Sequence, residues 1–177
     1  MPEETGRDED AMQDESTLIH REHVSNRPFD TVVAAFEAAV GAVDDAAFRA
    51  AVKASTSAED FERRMRAFEG PSGFMGFMRI DHGAWLARIG QPAQAVLYIL
   101  GNPLIARTML RHDLGVGLHV PVRMMIYEEP RSGSCRVAYD LPSSLMTRLG
   151  NPQLLAAAAR LDEKLTVLAE LVSGTKA

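Results

Sequence analysis

Apolar residues recur along the chain in two rhythms, one near two residues and one near 3.6, and the switches between them predict an ordered series of strands and helices. STLIHREHVS, residues 16–25, mixes β-branched and apolar residues in rough alternation and predicts a first strand. RPFDTVVAAFEAAVGAV then sets Phe29, Val32, Val33, Phe36, Ala39 and Val40 at helical spacing, with Pro28 in the first turn and Gly41 past the end. Over residues 44–69, Asp44 and Ser57 are each placed to cap a short helix. Ser57 to Asp60 resembles a capping box with Asp in place of Glu. Phe61, Met65 and Phe68 share one face of the second of these helices.

GPSGFMGFMRIDHG, residues 70–83, breaks the helix with Gly and Pro and runs into a strand around Phe74 to Ile80. AWLARIG reads as a short connection with at most a helical turn. AQAVLYIL, residues 93–100, is a continuous apolar run, suited to a strand buried on both faces or central in a sheet. Asn102 is then a good helix cap and Pro103 a good first helical residue, predicting a helix to about Arg111. The same device at Gly150-Asn151-Pro152 opens the longest helix. Its apolar stripe is Leu154, Ala158, Leu161, Leu165, Leu168 and Val172, with Arg160, Glu163, Lys164 and Glu170 elsewhere on its surface. Between these helices, VPVRMMIYEE and SCRVAYDL flank the turn PRSG and predict an antiparallel hairpin. Strands in runs with helices on one side indicate an α+β domain over residues 16–174, an antiparallel sheet packed on the C-terminal helix, with a helical insertion at 44–69.

Charge changes the picture at one end only. Residues 1–15 hold seven acids against Arg7, and taking these from totals of 24 acids and 19 bases leaves 17 acids against 18 bases. The acidic segment reads as a disordered solubilising tail, and the near-neutral body lacks the basic stripe that nucleic-acid binding needs. No apolar run approaches a membrane span and the start of the chain is acidic rather than basic then apolar, so the expected setting is cytoplasmic, away from membranes. Cys135 is the single cysteine, which excludes an intramolecular disulfide and a cysteine-based zinc site, and its strand-like surroundings suit a structural thiol.

Candidate chemistry gathers at a few points. Asp81 and His82 stand where a strand meets glycine: a carboxylate beside an imidazole suits a tuned general base, and His82 alone suits a metal or haem ligand. The plainer alternative makes Asp81 a cap and His82 a core residue. Arg107 and Arg111 lie four apart on one helix face, suited to clamping a carboxylate or phosphate, and His112 and Asp113 follow at the helix end, where capping and ion pairing account for them equally well. Tyr139 shares a strand face with Cys135 and Val137, so its hydroxyl is a candidate group in a pocket between sheet and long helix, while Asp140 suits a turn before Pro142. Phe74, Met75, Phe77 and Met78, with Trp85, suit either an apolar pocket or core and dimer contacts. Ser143-Ser144 lacks the setting of a nucleophile elbow, His20 and His23 fall on opposite strand faces, and His119 stands alone, so no ligand spacing for a metal emerges.

RIDHGAW, LGNPLIARTMLRHD, VPV and YDLPSSL, in this order, resemble the bacterial and archaeal family called domain of unknown function 302, over residues 17–172. The chain resembles its longer subgroup, with helices inserted before the Gly-Phe-Met segment. The resemblance implies a two-layer β-α-β(4)-α fold similar to the TATA-binding-protein-like group, commonly dimeric, and no established activity or DNA binding. Many members carry Lys after Gly-Asn-Pro where this chain has Leu104, so no role of that Lys carries over. The expectation is a small-molecule-binding domain, open to being an enzyme, with Asp81, His82 and Tyr139 as catalytic candidates and Trp85, Arg107, Arg111, His112 and Asp113 as ligand-binding candidates. Its rivals are a non-catalytic homodimeric interaction module and a haem or metal carrier through His82. The sequence names no cofactor.

Overall fold

The computed structural model describes residues 13–175. Residues 1–12 of the expected acidic tail lie outside the described residues. Strand β1 (His20–Ser25) begins four residues later than the alternation suggests. Leu18 and Ile19 are exposed, and the Ile19 N–H donates instead to Ser144 Oγ at 3.1 Å. Helix α1 (Phe29–Ala39) follows, with Pro28 as its capping residue rather than inside its first turn, and buries Val32, Phe36 and Ala39.

The chain next forms a strand of two residues, β2 (Gly41–Ala42), paired parallel with β3 (Met75–Asp81). The sheet is therefore mixed, where the sequence pattern predicts an antiparallel one. No periodicity can mark so short a strand; a close backbone crossing places it. A Cβ on Gly41 would fall 2.2 Å from the Phe68 carbonyl oxygen, and one on Gly70 would fall 2.2 Å from Gly41 N, so only glycine fits at either position.

The insertion is two capped helices, α2 (Asp45–Ala54) and α3 (Ala58–Arg66), as predicted. Asp44 Oδ1 accepts the Ala47 N–H at 2.7 Å, and Ser57 Oγ accepts that of Asp60 at 3.1 Å. The buried Asp60 carboxylate reaches one residue further back than a capping box would, accepting the Thr56 N–H at 3.1 Å, and it also accepts Arg64 Nε at 3.0 Å. Phe48 stands edge-on to Phe68 and Phe77, with ring centres 5.6 and 5.5 Å apart, which fastens the insertion to β3.

The remaining elements are α4 (His82–Arg88), β4 (Ala95–Gly101), α5 (Pro103–Leu110), a 3₁₀ turn (Leu114–Leu118), β5 (Val122–Glu128), β6 (Cys135–Asp140), α6 (Pro142–Leu145) and α7 (Pro152–Ser173). They complete a six-stranded sheet in the order β1-β6-β5-β4-β3-β2, antiparallel except at β2. Asn102 Oδ1 caps α5 through the Leu104 N–H at 2.8 Å, and Asn151 Oδ1 caps α7 through Gln153 and Leu154.

One sheet face and the helices form the core. Val96, Tyr98, Leu100, Met124, Ile126, Val137 and Tyr139 face the predicted stripe of α7, and every one of those residues is buried. On the other face Met78 and Val24 are 55% and 46% exposed, and Ile80, Leu97, Ile99, Met125 and Tyr127 are half-buried. The apolar run of β4 thus marks a central strand covered on one face only. No described helix is long and apolar enough to cross a membrane.

Candidate functional site

Strand register separates the residues that the sequence nominates. β3 runs from Met75, paired with Gly101, to Asp81, paired with Val96, so Asp81, His82 and Trp85 lie at the opposite end of the sheet from the helix that follows Gly101. Asp81 caps α4 by accepting the Ala84 N–H at 2.9 Å, and this contact and Arg79 hold its carboxyl below the usual carboxylate range. His82 is not a core residue: it is half-buried, and its Nδ1 accepts Trp85 Nε1 at 3.2 Å while Trp85 is itself 51% exposed. Trp85 therefore shares no pocket with the Phe74–Met78 segment, where Phe74 and Met75 are core and Met78 lies on the uncovered face.

The polar cluster after Gly-Asn-Pro resolves into separate local contacts. Arg107 donates to Glu62 of α3 at 2.9 Å, and Arg111 Nε meets His112 Nε2 at 3.2 Å. Asp113 pairs with neither arginine and instead caps the 3₁₀ turn through the Gly115 N–H at 2.6 Å. Tyr139, 3% exposed, spends its hydroxyl on Thr166 of α7 at 3.0 Å rather than presenting it to a pocket. The space between sheet and α7 is packed along the leucine stripe. Asp140 does not turn the chain: it ends β6 with Oδ1 2.8 Å from His20 Nδ1. Cys135 is buried, which pushes its thiol up to about 11, the state of a structural rather than a nucleophilic cysteine. None of the eight nominated residues lines any of five recesses on the surface of the described residues.

One recess is built by the Gly-Asn-Pro segment itself. It has a volume of ≈ 240 Å³ and lies under α5, walled by Ile105, Ala106, Met109 and Leu110, closed by Val120–Val122 and floored by Phe77 and Leu161. Gly101 makes room for it, since a Cβ there would press on Pro121 at 3.2 Å and on Phe77 at 3.4 Å. Asn102 is its one side chain with hydrogen-bonding atoms. Its Oδ1 caps α5, while its Nδ2 donates to Glu69 at 2.7 Å and to the Gly73 carbonyl at 2.9 Å, so the lining offers an occupant apolar contact almost alone.

A second recess, of ≈ 580 Å³, lies across Pro121 and Val122 from the first, on the uncovered sheet face. Ile99, Leu118 and Leu145 form its apolar walls; His119, Arg123 and Asp140 bring the polar groups. Burial, with Arg148 nearby, lowers the His119 pKa, and the Asp140 hydrogen bond raises that of His20. The sequence offered no signal for this grouping, because β1–β6 pairing brings His20 to Asp140 across the sheet. A third recess, beside α1, has its polar groups spent on one another: Glu37 Oε1 accepts both Tyr98 at 2.7 Å and Arg79 at 3.2 Å.

A family described as "Domain of unknown function DUF302" matches residues 50–172, a span that begins within α2 and takes in β3 to α7. Among solved structures, the crystal structure of the uncharacterized conserved protein DUF302 from Bacillus stearothermophilus is similar, with a TM-score of 0.60 and 16% identity over 86% of this chain and 97% of that one. At that identity the likeness speaks for the fold. Among curated proteins nothing matches.

Proposed function

Because the chain belongs to the DUF302 family, a membership that names no activity, we propose its function from the recess under α5: the protein binds a small, largely apolar molecule there. The observation that carries this reading is a formed recess of ≈ 240 Å³ lined by Ala106, Met109, Leu110, Val120 and Leu161. Recesses that hold small molecules are concave and mostly apolar, and an engineered apolar cavity of roughly 150 Å³ takes up benzene, so this space suits a single ring or a short chain. With Asn102 committed, nothing in the lining is free to act as a base or nucleophile. The geometry therefore supports binding ahead of catalysis.

The test is a calorimetric titration with toluene and with hexan-1-ol, on wild type and on Ala106→Phe, which fills the space. Saturable uptake by wild type and its loss in the variant support the reading. No uptake by wild type, or equal uptake by both, contradicts it.

A second reading, a homodimer, has its own observation: the sheet face opposite the helices leaves Met78 about half exposed, beside half-buried Leu97, Ile99 and Met125. Contiguous apolar surface of this kind is what a self-association contact buries. Sedimentation of wild type and of Met78→Glu decides it; a monomer in both speaks against it. A haem or metal role for His82 rests on less, since its Nδ1 already accepts from Trp85 and, among the described residues, no three of His, Cys, Asp and Glu are grouped to hold a metal ion.

A further inference from the structure

We propose that the recess on the uncovered sheet face is a second binding site, taking a small organic carboxylate whose anionic end sits on Arg123. Four observations at different residues meet there. The recess is roomy, at ≈ 580 Å³, and three of its walls, Ile99, Leu118 and Leu145, are apolar, which suits an organic body rather than a bare ion. Arg123 is exposed at its rim and, among the described residues, its side chain has no hydrogen bond or ion pair, so its planar fork of donors is unspent.

The one carboxylate of the lining does not compete for that fork. Asp140 Oδ1 lies 2.8 Å from His20 Nδ1, and this contact raises the His20 pKa, which favours the protonated imidazole that offsets the carboxylate. His119, also in the lining, has its Nε2 shielded from solvent with no hydrogen-bond partner. The recess accordingly offers the unspent guanidinium fork of Arg123 among apolar walls.

Those features select within the anions. A carboxylate matches a single guanidinium two oxygens to two nitrogens, whereas a phosphate dianion calls for further cations, and no Lys or Arg besides Arg123 lines this recess. Leu118, 79% exposed on the turn that flanks the recess, has apolar surface to give up to the ligand body. The site is separate from the one under α5: the two share only Pro121 and Val122 and open on opposite sides of the sheet end.

Benzoate is the probe, with benzyl alcohol and inorganic phosphate as controls, followed at the methyl resonances of Leu118 and Leu145, which line this recess and not the other. Benzoate shifts both methyls saturably, and benzyl alcohol and phosphate bind far more weakly. Arg123→Gln weakens benzoate about tenfold or more, the usual worth of a hydrogen bond to a charged group. Leu118→Ser weakens it less, and Ala106→Phe leaves it unchanged. The proposal is overturned by absence of saturable shifts, by equal binding of benzyl alcohol or phosphate, by undiminished binding in Arg123→Gln, or by loss of binding in Ala106→Phe. Arg123 and Leu118 are both exposed side chains, so neither variant threatens the fold, and unchanged melting confirms that.

Discussion

Asn102 Nδ2 donates to Glu69 Oε1 at 2.7 Å, and this contact ties the start of α5 to the loop that leaves α3. The same side chain caps α5 and reaches the Gly73 carbonyl, so one buried amide joins the insertion, the approach to β3 and the wall of the recess. Replacing it loses a cap, worth about 1 kcal/mol, and strands hydrogen-bonding groups worth about 1–3 kcal/mol more. Asn102→Ala is expected to lower the unfolding free energy in urea by about 3 kcal/mol. A loss below roughly 1 kcal/mol, the worth of a cap alone, shows that the contacts to Glu69 and Gly73 carry little.

The crossing of Gly41 and Gly70 makes a sharper steric prediction. A methyl group on Gly41 meets the Phe68 carbonyl oxygen at 2.2 Å, and backbone cannot swing aside as a flexible side chain can. Gly41→Ala is expected to destabilise by about 3 kcal/mol. Gly133→Ala, with nothing within 4 Å of the added atom but a φ of +66°, is expected to cost less, about 1 kcal/mol. Equal melting temperatures for the two variants contradict the account of β2.

The three histidines tied to the sheet titrate in opposite directions. The hydrogen bond to Asp140 raises His20 above its ordinary 6.5. Burial lowers His23 and His119 below it. His20 therefore contributes stability that is full below about pH 6.5 and lost as pH rises through its folded value; His23 and His119 contribute stability that is full above about 6.5 and lost as pH falls through theirs. Imidazole resonances followed from pH 4 to 9 are expected to show this order, with Asp140→Asn bringing His20 back toward 6.5. A His20 midpoint at or below that of His119 contradicts it.

The stripe of α7 predicts a plain packing loss. Leu165 is fully buried against the sheet, and Leu165→Ala is expected to cost about 3 kcal/mol, read as a lower urea midpoint with an unchanged slope. Val167→Ala, on the exposed side at 64%, is expected to change stability by less than about 0.5 kcal/mol.

Local chemistry explains which parts of the molecule can be read from sequence. Asn102-Pro103 and Asn151-Pro152 mark helix starts because cap and first turn lie within three residues of each other, and the α7 leucines mark a buried face because 3.6-residue spacing is a property of one helix. β2 was beyond such reading, since two residues carry no period and a glycine crossing between distant segments puts them there. Arg107 looked like a ligand clamp because its partner, Glu62, lies 45 residues away in the insertion. His119 looked isolated for the same reason: the tertiary fold brings Arg123 and Asp140 into one recess with it, and strand register sets His20 against Asp140. What chemistry the recesses have is thus set by tertiary pairing, while the sequence marks only the capped start of α5, the helix that walls the first recess.

Occupancy of the recess under α5 is read at the Met109 methyl resonance during a toluene titration. Met109 is completely shielded from solvent and lines only the recess under α5, so its shift reports occupancy of that space and no other. Saturable movement of Met109 in wild type, absent in Ala106→Phe, is the predicted result. A Met109 resonance that stays in place while toluene shifts residues elsewhere contradicts the account.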